Sequence, residues 1–357
     1  MSYQDGWAAL HMEMPARVPH YEPSANTHNK LIQAVTRLPV GDKAALQNGG
    51  WSANEAERRF LELWNFDFLW NQWVYGNAFD KGRQTNMGHA EYAENGADRD
   101  DNVHCPWTDP EEILNIDFEA EYGRIDIPAA VKSFNENWRS CQETYPFLVA
   151  PTGIYETCVS GLIQMFGWDM LLWAAGEDQK RFGEMTDRYA AYMQSYFEAL
   201  AQSDSPIALI HDDMVWSSGP FIHPDWYRKY VFPNYKKYFS PLLEAGKRIV
   251  YCCDGTFTMF FDDLTACGIH TVMMECTTDM ALFAERYGRT HGFIGNVDTR
   301  ILLRNNREEI EQEVRRVMDI GKKCPGFICS VSNHIPCNTP VEAALWYYEC
   351  YEKYARR

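Results

Sequence analysis

A chain of 357 residues with 46% hydrophobic and 23% charged residues can bury a large core, as one large domain or two ordinary ones. Its formal net charge of −17, from 33 Lys+Arg against 50 Asp+Glu, repels phosphate backbones and anionic lipid and so argues against nucleic-acid and membrane partners. The 11 Cys are scattered and odd in number, no basic-then-apolar leader opens the chain and no apolar run is long enough to cross a bilayer, so a cytoplasmic protein with reduced thiols is expected.

In chain order, residues 1–50 mix Pro, His and polar residues around a short helical stretch at 31–38 and read as an N-terminal arm wrapping a barrel that occupies 51–357. A helix is expected from Ser52, an N-cap with Glu55 three residues on, to Trp64. Residues 66–74 alternate aromatic and polar side chains and read as the first strand. Residues 75–109 are polar and read as a long insertion over the mouth of the fold. His89, Glu91, His104 and Cys105 lie in it, either as ligands or, more simply, in a hydrogen-bonded loop.

Strands are then expected at 147–151, 207–210, 248–251, 268–274, 292–295 and 326–331. Between and after them come helices at 127–145, 161–175, 178–202, 224–245, 256–267, 278–287, 308–322 and 339–354. This unbroken alternation makes a parallel sheet with right-handed crossovers. No Gly-rich phosphate loop follows the first strand, which favours an α/β (β/α)8 TIM barrel over a nucleotide-binding sheet.

Four of these strands end in reactive residue types: His211-Asp212-Asp213, Cys252-Cys253-Asp254, Glu275-Cys276 and Asn333-His334. In a barrel those ends share one mouth, where such folds keep their active sites. Helix capping accounts for an isolated Asp, but not for Glu, two Cys and a His in matching places. Zn2+ accepts mixed sulfur, nitrogen and oxygen donors, so Cys252, Asp254 and His334 are candidate ligands, with Glu275 as a displaceable fourth and Cys276 and Cys337 in reserve. His211, Asp212 and Asp213 are candidate acid–base or substrate-binding groups; a satisfied hydrogen-bond network at the strand end is the competing reading. Trp73, Tyr75, Trp107 and Trp216 are candidates for a substrate wall, with ordinary packing as the alternative, and Asn296 is a further substrate-binding candidate.

The run from His211 to Pro233, with its Asp-Asp, Gly-Pro and Pro-x-x-aromatic pattern, resembles the uroporphyrinogen decarboxylase superfamily. Cys252-Cys253-Asp254-Gly255, Gly295-Asn296-Val297-Asp298 and the stretch from Asn333 to Pro340, with Asn338-Thr339-Pro340 before the last helix, agree in order. The openings Gly6-Trp7-Ala8-Ala9-Leu10 and Met14-Pro15-Ala16-Arg17-Val18-Pro19 look like a less characterised branch. The resemblance implies a (β/α)8 barrel with its pocket at the C-terminal mouth.

It also implies one of two chemistries. True decarboxylases of this family are metal-free and carry an Arg-Gln-Ala-Gly-Arg motif that grips substrate carboxylates; this chain lacks it. The cobalamin-dependent methyltransferases hold zinc on a His-x-Cys pair, a later Cys and a displaceable Glu. Cys252-Cys253-Asp254 stands where the pair would, Glu275 matches the Glu, and Asn333-His334 falls near the later Cys. The expectation is thus a zinc-dependent methyltransferase working with a separate corrinoid protein on a small methylated substrate, for example in O-demethylation. The rival is a metal-independent decarboxylase or lyase of a carboxylated small molecule, for which Arg83, Arg99 and Arg248 are the candidate cationic groups. A corrinoid- or tetrapyrrole-binding carrier is disfavoured, because no Asp-x-His-x-x-Gly motif is present. A homodimer is compatible with all of these.

Overall fold

Six parallel strands pair in the order of the chain: β1 (Thr152–Ile154), β2 (Ile207–His211), β3 (Arg248–Cys253), β4 (Thr271–Met274), β5 (Gly292–Val297) and β6 (Phe327–Val331). The computed structural model describes residues 3–40, 54–71, 81–86 and 103–357. Every strand residue except Arg248 is buried. Burial on both faces is what a parallel strand between a filled lumen and a helical layer requires, and it selects the near-continuous apolar runs seen in the sequence.

Two short segments close the sheet. Cys329 N donates to Pro19 O at 2.8 Å and Tyr21 N to Cys329 O at 3.1 Å. Asp67 N donates to His20 O at 2.9 Å, Val149 N to Asp67 O at 3.0 Å and Leu69 N to Val149 O at 2.9 Å. His20 thereby bridges in parallel to Cys329 and Phe66, and Phe68 to Val149 just ahead of β1. These two staves and the six strands make the eight of a closed (β/α)8 barrel. The N-terminal segment, expected to wrap the barrel, also supplies one of its staves.

Buried charges lock that closure. Arg17 Nη2 lies 2.5 Å from Asp67 Oδ1, while Asp67 Oδ2 accepts from His20 N at 2.9 Å. The His20 ring donates through Nδ1 to Trp64 O at 2.7 Å and meets Glu22 Oε1 through Nε2 at 2.7 Å, and Glu22 Oε2 accepts from Val331 N at 3.0 Å. Paired in this way the charges are tolerated in the interior; removing one partner would leave the other stranded.

The outer layer follows the expected helices with two adjustments. Asn54 rather than Ser52 caps the early helix, accepting from Glu57 N at 2.8 Å, so that helix runs Glu55–Leu63 and Ser52 lies outside the described residues. The single helix expected at 224–245 is two, Pro224–Tyr230 and Phe232–Glu244. Pro233 has no N–H to offer and restricts the residue before it, which separates the pair. Among the described residues no helix is long and apolar enough to cross a membrane.

The helix Ser160–Glu177 after β1 is broken at Gly167, whose φ of 71° needs a residue without Cβ. The break leaves the carbonyls of the preceding turn without helical partners. Thr85 donates to Gln164 O through N (3.2 Å) and Oγ1 (2.8 Å), Trp107 Nε1 to Met165 O at 3.0 Å, and Cys105 Sγ to Phe166 O at 3.2 Å. The described ends of the long insertion are therefore tied to this helix.

Candidate active site

His211 ends β2, in register with Cys252 on β3, which in turn pairs with Met273 on β4. The His211 ring is buried and stacks on Tyr155 with centroids 4.2 Å apart and planes 7° apart. Its Nδ1–H donates to Tyr155 O at 3.3 Å and its Nε2 meets Asp213 Oδ1 at 3.1 Å. Burial works against the imidazolium, but Asp213, Asp254 and Asp212 together outweigh it and hold the ring's pKa up at about 9.

Asp254 follows β3 and sets the character of the mouth. Burial, with the nearby carboxyls of Asp213 and Glu275, raises its pKa to about 8, so near neutral pH it keeps its proton. Its N–H donates to Asp213 Oδ1 at 3.1 Å. Asn333 Nδ2 reaches both Asp254 Oδ2 (3.2 Å) and Glu275 Oε1 (2.6 Å), spanning the two carboxyls from the last strand's loop. Glu275 Oε2 also accepts from Gly255 N at 2.7 Å. Gly255 has φ 82°, and a Cβ there would lie 2.5 Å from Trp216 O, so the turn that aims this N–H admits only glycine.

Asp212 stands one residue away and does something else. It has no exposed surface and accepts from Val159 N (2.8 Å), Ser160 N (2.6 Å) and the Tyr235 hydroxyl (2.5 Å). It thus caps the helix after β1 from a neighbouring strand, where Val159 offers no side-chain cap of its own. Asp212 is a fixture of the scaffold, whereas Asp213 and His211 form the ion pair at the mouth.

The other expected site residues fall as follows. Cys252 is buried, and burial with Asp254 and Asp213 pushes its thiol well above the ordinary range. Cys253 is also buried and donates to Asp254 O at 3.1 Å. His334 is next to Asn333 and half-buried, and so is Cys337 three residues on. Cys276 Sγ lies 3.8 Å from Arg300 Nη2. Asn296 is buried and donates to the carbonyls of Glu275 and Thr278 at 3.2 Å each, bracing the Glu275 loop.

Trp107 is a core residue, committed to Met165 O and edge-on to Phe166, so it forms no substrate wall. Trp216 is 42% exposed and leans on Trp168 and Phe221, with centroids 5.6 and 5.5 Å away. Trp73, Tyr75, His89, Glu91 and Arg99 lie outside the described residues. His104 N donates to Asn86 Oδ1 on an exposed loop.

Among the described residues no group of three or more His, Cys, Asp or Glu side chains is disposed to hold a metal ion. Asp254 and Glu275 meet through the Asn333 amide nitrogen, a donor that does not ligate a cation. As placed, Cys252, Asp254, Glu275 and His334 do not fit a zinc ion.

Two groups escaped the sequence reading. Tyr155 and Glu156 follow β1 directly, and burial raises the Glu156 carboxyl to about 8. The sequence places this strand at 147–151, ending at Thr152-Gly153, but pairing with β2 covers Thr152–Ile154, with Ile154 in register with Ile210. A count forward from the paired residues of β2 would have found them.

An eight-staved α/β barrel with acids and a histidine gathered at the C-terminal ends of its strands defines the class of molecule. The chain belongs to the uroporphyrinogen decarboxylase (URO-D) family, whose model matches residues 147–354. It is 27% identical over 181 residues to the uroporphyrinogen decarboxylase of Syntrophotalea carbinolica, covering 50% of each chain. It is 26% identical over 180 residues to that of Carboxydothermus hydrogenoformans, covering 50% of this chain and 49% of the other. The chain spans about half the length of these curated relatives. The structure of a methyltransferase from Methanosarcina mazei matches over 97% of this chain and 96% of its own, with a TM-score of 0.62 and 16% identity, which is a likeness of fold.

Proposed function

We propose that this chain is a methyltransferase of the URO-D family that acts on a small methylated molecule, with a separate corrinoid protein as the methyl carrier. The observation that carries the reading is the proton-holding mouth. Asp254 keeps its proton near neutrality beside the His211–Asp213 pair, while the two described candidates for gripping a carboxylate, Arg83 and Arg248, are elsewhere. Arg83 is engaged with Glu112 (2.7 Å) and Glu121 (3.0 Å). Arg248 opens β3, at the opposite end of the barrel from the mouth.

The full-length likeness in fold to a methyltransferase supports the same reading. In this scheme the corrinoid, when docked, supplies the acceptor for the methyl group. The protein's part is to hold the substrate R–X–CH3 and to give a proton to X as its bond to the methyl breaks, leaving R–XH. Asp254 is the donor, and the His211–Asp213 pair and Asn333 position it. Zinc is not part of this proposal, and no proton transfer in it needs one.

The test is methyl transfer from a panel of methyl ethers, methylamines and methyl thioethers to free cob(I)alamin, followed by absorbance, alongside CO2 release from carboxylated analogues. Methyl transfer lost in Asp254→Asn is the expected result. CO2 release without methyl transfer would transfer the site to the decarboxylase reading.

A further inference from the structure

The opposite rim of the barrel carries a cluster that the mouth chemistry does not use. Arg248 is the first residue of β3, His270 immediately precedes β4 and His291 immediately precedes β5. The ladder ties the residue after Arg248 to His270 and His270 to the residue after His291: Ile249 N donates to His270 Nδ1 at 3.0 Å, His270 N to Ile249 O at 2.9 Å, and Gly292 N to His270 O at 2.9 Å. Neighbouring strands lie about 4.8 Å apart, so the starts of three consecutive strands bring three basic residues to one rim of the barrel. His11, just past the helix Tyr3–Leu10, completes the group; the Arg248 charge reaches all three rings.

This cluster is uncompensated. In a chain with net charge −17, Arg248 is half-buried, and among the described residues its buried Nε has no hydrogen-bond partner and no carboxylate pairs with it. Glu13 acts on His11 alone within the group. Burial lowers all three imidazoles, and Arg248 lowers each further, His270 to about 4. A half-buried cation with no counter-charge is unfavourable unless an anion covers it. The tautomer suits one: His270 Nδ1 accepts from Ile249 N, so the neutral ring carries its proton on Nε2 as a donor.

We propose that this rim binds a small oxyanion of the phosphate class, held by the Arg248 guanidinium and by ring N–H groups of His270 and His291. Donors on three adjacent strands suit an ion with several oxygens better than a two-oxygen carboxylate, and guanidinium presents a fork to two of them. The site is separate from the mouth and does not depend on the reaction proposed there.

The experiment titrates the intact protein with inorganic phosphate at constant ionic strength set with chloride, following histidine ring signals by NMR and the thermal midpoint. A saturable shift of the His270 and His291 signals with a rise in Tm is expected, weakened about tenfold or more in Arg248→Met. Glycerol phosphate run in parallel distinguishes an esterified ligand from the free ion by which binds more tightly. Ring signals that do not move, or a Tm response that is unsaturated and equal in wild type and Arg248→Met, overturn the proposal. If Arg248→Met does not fold, His291→Gln and the wild-type ring signals decide the question.

Discussion

The barrel carries opposite chemistry at its two ends. At the C-terminal ends of β2 and β3, Asp213, Asp254 and His211 face one another: the acids hold a proton on His211 against its burial, and burial together with the neighbouring acids holds one on Asp254. At the N-terminal ends of β3, β4 and β5, burial lowers the His270 and His291 rings and Arg248 lowers them further, while the buried Arg248 Nε has no hydrogen-bond partner among the described residues. Mixed signs in a buried cluster produce groups poised to give or take a proton, whereas like signs produce a place for an external ion. Proximity is common to both ends, and charge balance separates them.

The largest effect expected from breaking this contrast is at the mouth. Asp254→Asn keeps the shape and the Asn333 contact but has no acid proton to give, so methyl transfer should fall on the order of 100-fold with little change in Tm. Asp212→Ala tests the neighbouring scaffold carboxyl: it strips a helix cap and removes one acceptor of the Tyr235 hydroxyl, which keeps Tyr251 Oη at 3.1 Å, at a cost of about 3 kcal/mol in a denaturant titration. If Asp212→Ala proved stable and inactive, the division of labour between the two carboxyls would be wrong.

Next comes pH. Asp254 is raised from its ordinary 3.8 to about 8, and His211 from 6.5 to about 9. Both folded-state values lie above the unfolded ones, so the stability tied to the protonated forms is complete below the unfolded values and is lost as pH climbs through 8 and 9. The rate should fall over the same window as Asp254 ionises. Thermal melts from pH 6 to 10 should therefore decline more gently in Asp254→Asn than in wild type, and equal slopes would count against the raised carboxyl. In Asp213→Asn the His211 titration should move down towards the ordinary imidazole range, which a ring-proton NMR titration reads directly.

The smallest effect separates wall from core. Trp107→Phe loses the indole bond to Met165 O and should cost about 1 kcal/mol of stability while leaving KM unchanged. Trp216→Ala, at an exposed ring beside the Gly255 turn, should leave Tm within error.

Much of the fold was legible along the chain. Apolar runs such as Ile207–Ile210 between helices with clear periodicity, Pro224 at a helix start and polar residues at strand ends are local signals, because burial on both faces and backbone capping act over a few residues. The stave at residues 19–21 was not legible. A single bridge on either side of His20, held by Arg17–Asp67 and Glu22–Val331, leaves no periodic pattern in a segment full of Pro and polar residues.

In the site, residue types and their arrival at one mouth could be read from the sequence, since strand direction in an alternating β/α chain dictates which ends share a face. Roles could not. Asp212 and Asp213 are identical in type and adjacent in sequence, yet one caps a helix 52 residues earlier and the other pairs with an imidazole. Asn333 bridging two carboxyls, Trp107 filling the gap opened at Gly167 and Arg248 left uncompensated are facts of the same kind. The chain alone thus determined its barrel and the stock of reactive groups at each end, because periodicity and strand polarity are local properties. Which of those groups hold protons, which brace the scaffold and which stay unpaired was decided by contacts between residues far apart in sequence, since proton affinity depends on distance and burial in three dimensions.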